Sequence, residues 1–374
     1  GDIMRVAFVT SGSASAHDEF FNDNLSGTES QIDGVANELA NQGHTIRIYK
    51  VSSRNFIQKS GNITVEEVAV ATPPTLLGDI YTKLRFGERC RSRLNEFNPD
   101  VVNVIMKYAA SRVVREDFPM VHFAFNNPVS ITPGQSSVSR LLTGHMERVI
   151  SKKAECLVVR NKKNMEYWSH NSKATVQRIP VGINTKLYQQ KDARDFIFYG
   201  GRFSEEKRVN DLITAYRSLP EDIRQKNKLL LCGEGPTKEK IQERAESEKI
   251  GEICILPWQR KSDFIDLLSQ CKLYVLPSAF EGMPVVLIEA MATGTPVVAS
   301  NIAGVNDVLT EDVGRLFPVG DVDQLSQQME TLLRSGEEYN RLSRNAYMYS
   351  RENYSFSAIA KQYTDLYRRM INNT

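Results

Sequence analysis

No apolar run in the 374 residues approaches the ~20 that a membrane-spanning helix needs. The start of the chain, with Arg5, an apolar stretch and then small residues, has the outline of a signal peptide. Its apolar part is only Val6–Val9, too short for a secretory leader, and is expected to be the first strand instead. A surplus of one charge sign is also missing. Lys and Arg number 47 against 45 Asp and Glu, a net charge of +2, which removes any overall electrostatic case for nucleic acid or a membrane surface. There is no low-complexity tract. Cysteine is scarce: Cys90, Cys156, Cys232, Cys254 and Cys271 are odd in number, widely spaced and mostly inside apolar runs. That pattern fits reduced core thiols in a cytoplasmic protein better than a disulfide framework or a metal site.

What is present is an ordinary globular composition, 41% hydrophobic and 25% charged, in a chain long enough for two domains of about 180 residues each. The first half alternates short β-branched runs with helical patterns, the signature of a parallel sheet covered on both faces. Strands are expected at Arg5–Val9, Thr45–Val51, Val101–Met106, Met120–Phe125 and Cys156–Val159, with a helix over Ser30–Asn41 stopped by Gly43. The loop from Thr10 to Gly27, holding Gly12, Ser26 and Gly27, is long for a compact domain, and such loops tend to be functional.

Asp79–Phe97 has a helical pattern, with Ile80, Leu84, Leu94 and Phe97 on one side and Arg85, Arg89 and Arg93 on another. The arginines read either as a solvated basic face or as a ridge for an anionic acceptor or lipid headgroups, which would make the chain peripheral on a membrane. His122 lies within Met120–Phe125, ahead of Asn126-Asn127-Pro128. A lone histidine in a strand is commonly a satisfied structural group.

The most informative stretch is Leu276–Ser300, LPSAFEGMPVVLIEAMATGTPVVAS. An apolar strand, Leu273–Leu276, is followed by a tight loop over Ser278–Met283. A helix is expected from Pro284 to near Gly294, then a second strand over Pro296–Ser300. The first turn of such a helix offers unbonded N–H groups and the positive end of the dipole to an anion. Glu281 in the loop and Glu289 in the helix flank it, with seven residues between them. A ligand would lie at the C-terminal end of the first strand.

The run from Glu281-Gly282-Met283-Pro284 to Glu289-Ala290, with Pro277-Ser278 before it and Ala290-Met291-Ala292 and Pro296–Ser300 after it, resembles the E-x7-E signature of retaining nucleotide-sugar glycosyltransferases. These have the GT-B fold and are relatives of sucrose-phosphate synthase, phosphatidylinositol mannosyltransferase and lipopolysaccharide glucosyltransferases. The resemblance implies an α/β chain of two Rossmann-like domains with a cleft between them. An acceptor-side domain would take residues 1–185, joined by a returning C-terminal helix over 356–374, and a nucleotide-sugar domain residues 190–355. The polar stretch Gln189–Asp195 would be the linker. The reaction implied is transfer of a sugar from a nucleoside diphosphate to an unidentified glycan, lipid or small-molecule acceptor.

Several residues then acquire roles by resemblance. Gly200-Gly201-Arg202 and Lys207 match the element whose Arg and Lys hold the donor diphosphate, where two cations would neutralise the departing charge. Arg208 stands where the family usually has glycine. Cys232-Gly233-Glu234-Gly235-Pro236 matches the turn beside the nucleotide and is not the G-x-G-x-x-G dinucleotide fingerprint. The strand Ile253–Trp258 would end near the nucleobase. Glu281 and the N–H groups of Gly282, Met283, Val285 and Val286 would hold the sugar, Pro284 having no N–H to give, and Glu289 would accept from the ribose diol. Gly27 would lie in the glycine-rich loop facing the donor phosphate, and His122 near the transferred sugar. Val181 and Asn184 depart from the family's I-P-N-G-V-D segment and take no role. Asp321-Val322-Asp323 spells D-x-D but opens a helix, where capping explains it. No metal or cofactor is implied, the nucleotide sugar being a substrate, and no nucleic acid partner. Two other classes fit the same motifs: an epimerase or phosphorolytic transferase, and a catalytically silent nucleotide-sugar-binding subunit.

Overall fold

The computed structural model describes residues 2–10, 27–72, 78–105, 118–124, 145, 148–247 and 252–372. They fall into two compact units, Gly1–Gly182 with Phe356–Thr374, and Ile183–Ser355.

In the first unit, strands β1 (Arg5–Thr10), β2 (Thr45–Ser52), β3 (Phe56–Ser60), β4 (Ile63–Ala69), β5 (Val101–Val104), β6 (Met120–Phe123), β7 (Cys156–Val159) and β8 (Thr175–Arg178) form one sheet. Its order is β3-β4-β2-β1-β5-β6-β7-β8. All neighbours run parallel except β3 and β4. Helices α1 (Gly27–Asn41), α2 (Gly78–Phe97) and α3 (Lys162–Asn171) cover it with the C-terminal helix Phe356–Asn372. Val6 and Phe8 of β1 pack with Ile32, Val35 and Leu39 of α1 and Ile359, Tyr363 and Tyr367 of the C-terminal helix. Ala7 and Val9 join Phe86, Cys90 and Leu94 of α2 and Trp168 of α3 on the opposite face. A strand covered on both faces must be apolar at every position, which is why β1 reads as an unbroken run.

Helix α2 buries Phe86, Cys90, Leu94 and Phe97, while Ile80 and Leu84 are only half-buried. The apolar stripe is therefore rotated from the expected one. Helix α1 starts at Gly27, earlier than Ser30, and stops where Gly43 takes φ +93° and donates to the Ala40 carbonyl at 2.9 Å. The β3–β4 hairpin escaped the sequence pattern because every residue of β3 is exposed, leaving no inward alternation to detect. Strand β8 ends at Arg178, just before the segment holding Val181 and Asn184.

The C-terminal helix belongs to this first unit. Tyr367 donates to Asn103 Oδ1 at 2.9 Å and Thr364 to Gln42 Oε1 at 2.7 Å. At its start the Phe356 ring fills the place of a side chain on Gly34, whose Cβ would lie 2.2 Å from it. The chain passes between the units after Gly182 and again after Ser355. Ile183 and Ser355 pair in an isolated parallel bridge, and the Ile183 N–H donates to Tyr354 at 2.8 Å.

The second unit holds β9 (Arg194–Gly200), β10 (Lys228–Cys232), β11 (Ile253–Leu256), β12 (Cys271–Leu276), β13 (Val297–Ser300) and β14 (Arg315–Phe317), all parallel, in the order β11-β10-β9-β12-β13-β14. Its helices are α4 (Val209–Ser218), α5 (Glu221–Lys226), α6 (Lys238–Ser247), α7 (Lys261–Gln270), α8 (Val285–Ala292), α9 (Val322–Arg334) and α10 (Gly336–Tyr354). The stretch Gln189–Asp195 is packed against this unit, with Gln190 donating to Ser343 at 3.1 Å and Lys191 to Asp266 at 2.7 Å, and β9 already begins at Arg194.

Candidate functional site

The strand order of the second unit runs outward from β9 to β10 and β11, then resumes on the other side of β9 with β12. Loops leaving β9 and β12 therefore diverge to opposite faces, and the gap between them is the natural ligand position of an open parallel sheet. Both motifs singled out in the sequence leave these two strands.

After β9, Gly201 donates to the Cys232 carbonyl at 3.0 Å, and Gly233 donates to Leu256 at 3.1 Å, so the ladder continues past the strand ends. The glycines here make room for protein. A Cβ on Gly233 would lie 1.9 Å from the Gly201 carbonyl oxygen, and one on Gly200 would lie 2.3 Å from the Phe264 ring. Around Gly282, by contrast, nothing lies within 4 Å of that position. Tyr199 donates to the Arg202 carbonyl at 2.9 Å and Tyr274 to that of Gly200 at 3.0 Å. Burial, reinforced by neighbouring charges that include Glu281, pushes both phenols up, so they remain donors.

Arg208 answers the question raised by its departure from glycine. It sits in the left-handed region, φ +50° and ψ 37°, between the turn 205–207 and α4, with Nε donating to Asp211 at 2.6 Å. The turn is kept with a residue that costs about 1–2 kcal/mol more than glycine in that conformation.

The loops after β9 and β12 are joined. Ala279 donates its N–H to the Glu206 carbonyl at 2.7 Å, and Lys207 Nζ donates to Glu281 Oε1 at 2.6 Å. Gly304, at φ +90°, lets its segment pass under the Glu281 and Gly282 carbonyls, which a Cβ would approach to 2.6 and 2.8 Å. Arg202 is exposed beside these loops. Helix α8 begins at Val285, and Pro284 is the extended residue before it, its carbonyl accepting from Leu287 at 3.1 Å. The first helical N–H groups are thus those of Val285 and Val286, both on half-buried residues, as is Met283.

Glu289 is buried, at 6% exposure. The Tyr188 hydroxyl donates to its Oε1 at 2.8 Å, and Lys261 Nζ donates to the same oxygen. The sequence reading missed both partners. Trp258, just beyond β11, is 59% exposed and stacks on Phe264 at 6.5 Å and 23°. Asp321 accepts from the Gln324 N–H at 2.9 Å as the N-cap of α9, so the D-x-D is a helix start. Among the described residues no group of three or more His, Cys, Asp and Glu side chains could hold a metal ion, and no helix is long and apolar enough to cross a membrane.

The first unit does not gather a comparable cluster among its described residues. His122, third residue of β6, is fully buried, and its Nδ1–H donates to the Val104 carbonyl at 3.0 Å. Arg85 pairs with Glu88 at 2.9 Å, Arg89 donates to the Ala69 carbonyl, and Arg93 pairs with Glu66. Gly27 is the first residue of α1. Gly12, Ser26 and Asn126-Asn127-Pro128 lie outside the described residues.

Comparison with known proteins agrees with this geometry. Residues 185–349 match the family Glycosyl transferases group 1. The MMP alpha-(1->4)-mannosyltransferase of Mycolicibacterium hassiacum is 30% identical over 200 residues, 52% of this chain but only 48% of that protein's own length. The N-acetyl-alpha-D-glucosaminyl L-malate synthase of Bacillus anthracis is 23% identical over 89% of this chain and 91% of its own. The solved structure of sucrose-phosphate synthase from Thermosynechococcus elongatus superposes with a TM-score of 0.76 over 99% of this chain and 100% of that one, at 20% identity. Residues 185–349 thus carry the group 1 glycosyl transferase pattern, and the fold is GT-B.

Proposed function

We propose that the second unit binds a nucleoside-diphosphate sugar where β9 and β12 diverge, and that the chain is a retaining transferase passing a hexose-type sugar to an acceptor. The observation that carries this reading is the convergence of Lys207, Glu281 and the start of α8 on one switch point. Arg202, Lys207 and the N–H groups of Val285 and Val286 supply positive charge for the departing diphosphate, the charge that a divalent cation supplies elsewhere. Glu281 and the loop N–H groups of Gly282 and Met283 take the sugar hydroxyls, Gly282 having open space above it. Glu289 takes the ribose diol.

Retention follows if departure and attack share one face of the sugar. Glu281 is bonded to Lys207 and Glu289 is buried between Tyr188 and Lys261, placements that suit binding rather than nucleophilic attack. A hexose donor is supported by the relatives' names, which specify mannosyl and N-acetylglucosaminyl transfer. The first unit, with its covered parallel sheet, is assigned the acceptor.

A thermal-shift screen of UDP, GDP, ADP and their sugars tests the reading. A ligand at 100 times its Kd stabilises by about 2.7 kcal/mol, an upward shift of several degrees for a domain of this size. No shift with any nucleotide would remove the proposal.

A further inference from the structure

Glu289 is held by two groups that no motif names. Tyr188 and Lys261 both donate to Oε1, while Oε2 accepts no hydrogen bond from the described residues and is not sealed from solvent. Two donors on one carboxylate oxygen fix the plane of the group and leave the other oxygen as its free acceptor.

The supports are themselves fixed. Tyr188 follows the short turn Thr185–Leu187, and its carbonyl accepts from Arg351 at 2.8 Å. The same guanidinium donates to Ala292, last residue of α8, at 2.8 Å, and stacks 3.5 Å over the Tyr347 ring. One side chain thus ties the segment bearing Tyr188 to the helix bearing Glu289. Lys261 opens α7, with its ammonium 5.9 Å from the Tyr188 ring centre and 5.7 Å from that of Phe264. Burial, with Glu289 beside it, pushes the Tyr188 phenol up, so it stays a donor.

We infer that Tyr188 and Lys261 are positioning residues for the donor. They fix the orientation of the Glu289 carboxylate, with Oε2 presented to the ligand, and Lys261 balances a negative charge that would otherwise oppose the diphosphate. This rests on the assignment of Glu289 to the nucleotide-sugar donor. A buried carboxylate that loses its cation is left uncompensated, which destabilises the fold and loosens the orientation of the acceptor. The loss should vanish when Glu289 is made neutral.

The experiment compares wild type, Lys261→Met, Lys261→Arg, Tyr188→Phe, Glu289→Gln and the double variant Lys261→Met/Glu289→Gln. Thermal midpoints are read without nucleotide, and Kd for UDP, GDP and ADP by calorimetry. Lys261→Met should weaken the preferred nucleotide roughly tenfold and lower the midpoint by about 3–6 °C. Lys261→Arg should stay within about threefold of wild type, and Tyr188→Phe should lose about threefold. In the Glu289→Gln background, Lys261→Met should change affinity less than about twofold and leave the midpoint unmoved. Unchanged affinity in Lys261→Met overturns the inference, and tighter binding does too, since Lys261 would then occupy the donor's place. Equal effects in both backgrounds also overturn it. Failure of wild type to bind any nucleotide, with the midpoint coupling intact, would instead remove the donor assignment on which it rests.

Discussion

Lys207 and Glu281 stand 74 residues apart in the chain and 2.6 Å apart in the structure, and their ion pair joins the loop after β9 to the loop after β12. The side chains keep 22% and 10% exposure, enough to meet a ligand and too little for water to screen the pair fully. Each partner orients the other. Lys207→Met should therefore weaken nucleoside diphosphate binding by about 1.5–3 kcal/mol, the range for a hydrogen bond to a charged group. Calorimetry giving wild-type affinity would remove Lys207 from the diphosphate.

The two glutamates should separate in kinetics. Glu289 is buried within α8; in the proposed donor site it would bind equally in ground and transition states, whereas Glu281 would lie beside the sugar, where positive charge builds. Uniform binding appears in KM, and an interaction made mainly in the transition state appears in kcat. Glu289→Gln should chiefly raise donor KM and Glu281→Gln chiefly lower kcat, by steady-state assays at saturating acceptor. The reversed pattern would misplace the sugar.

Arg208 offers a stability test free of catalysis. Glycine relieves a left-handed residue at φ +50° but gives up the Arg208–Asp211 pair and adds chain entropy to the unfolded state. These effects nearly cancel, so Arg208→Gly should change stability by less than about 1 kcal/mol, whereas Arg208→Val, β-branched, should cost clearly more. Equal thermal midpoints for the two variants would contradict the strained turn.

Much of this was legible in the sequence, and the reason is locality. Strand β1, the glycine-punctuated turns and the run from Glu281 to Glu289 are set by neighbours in the chain, so period and spacing expose them. What escaped was set at a distance. Tyr188 meets Glu289 across 101 residues and Lys261 across 28, and neither belongs to a motif. The one usable signal for Lys261 was its place just after a strand whose end was expected near the ligand. Arg89 and Arg93 read as a basic face, but only the fold shows that they are engaged by Ala69 and Glu66 of β4. Strand β3, exposed at every residue, had no apolar face to show.

The Glu206 carboxyl should give the loop after β9 a pH-dependent stability. The Ser204 hydroxyl, donating at 2.6 Å, holds the Glu206 carboxyl below its ordinary value, with Lys207 and Arg202 assisting. A depressed folded value means that the contribution is complete above the unfolded carboxylate range and is lost as pH falls through the folded one. Between about pH 6 and pH 3 the thermal midpoint of Glu206→Gln should fall less steeply than that of wild type. Identical slopes would show that the Glu206–Ser204 contact adds no pH-dependent stability.

Whether this switch point takes a nucleoside-diphosphate sugar is decided by calorimetric titration of UDP-, GDP- and ADP-sugars into wild type and Arg202→Ala/Lys207→Met. One base should bind to wild type with a stoichiometry of about one per chain, and the double variant should lose at least tenfold in affinity. A wild type that binds none of the three, or a double variant that binds as well as wild type, would contradict the account.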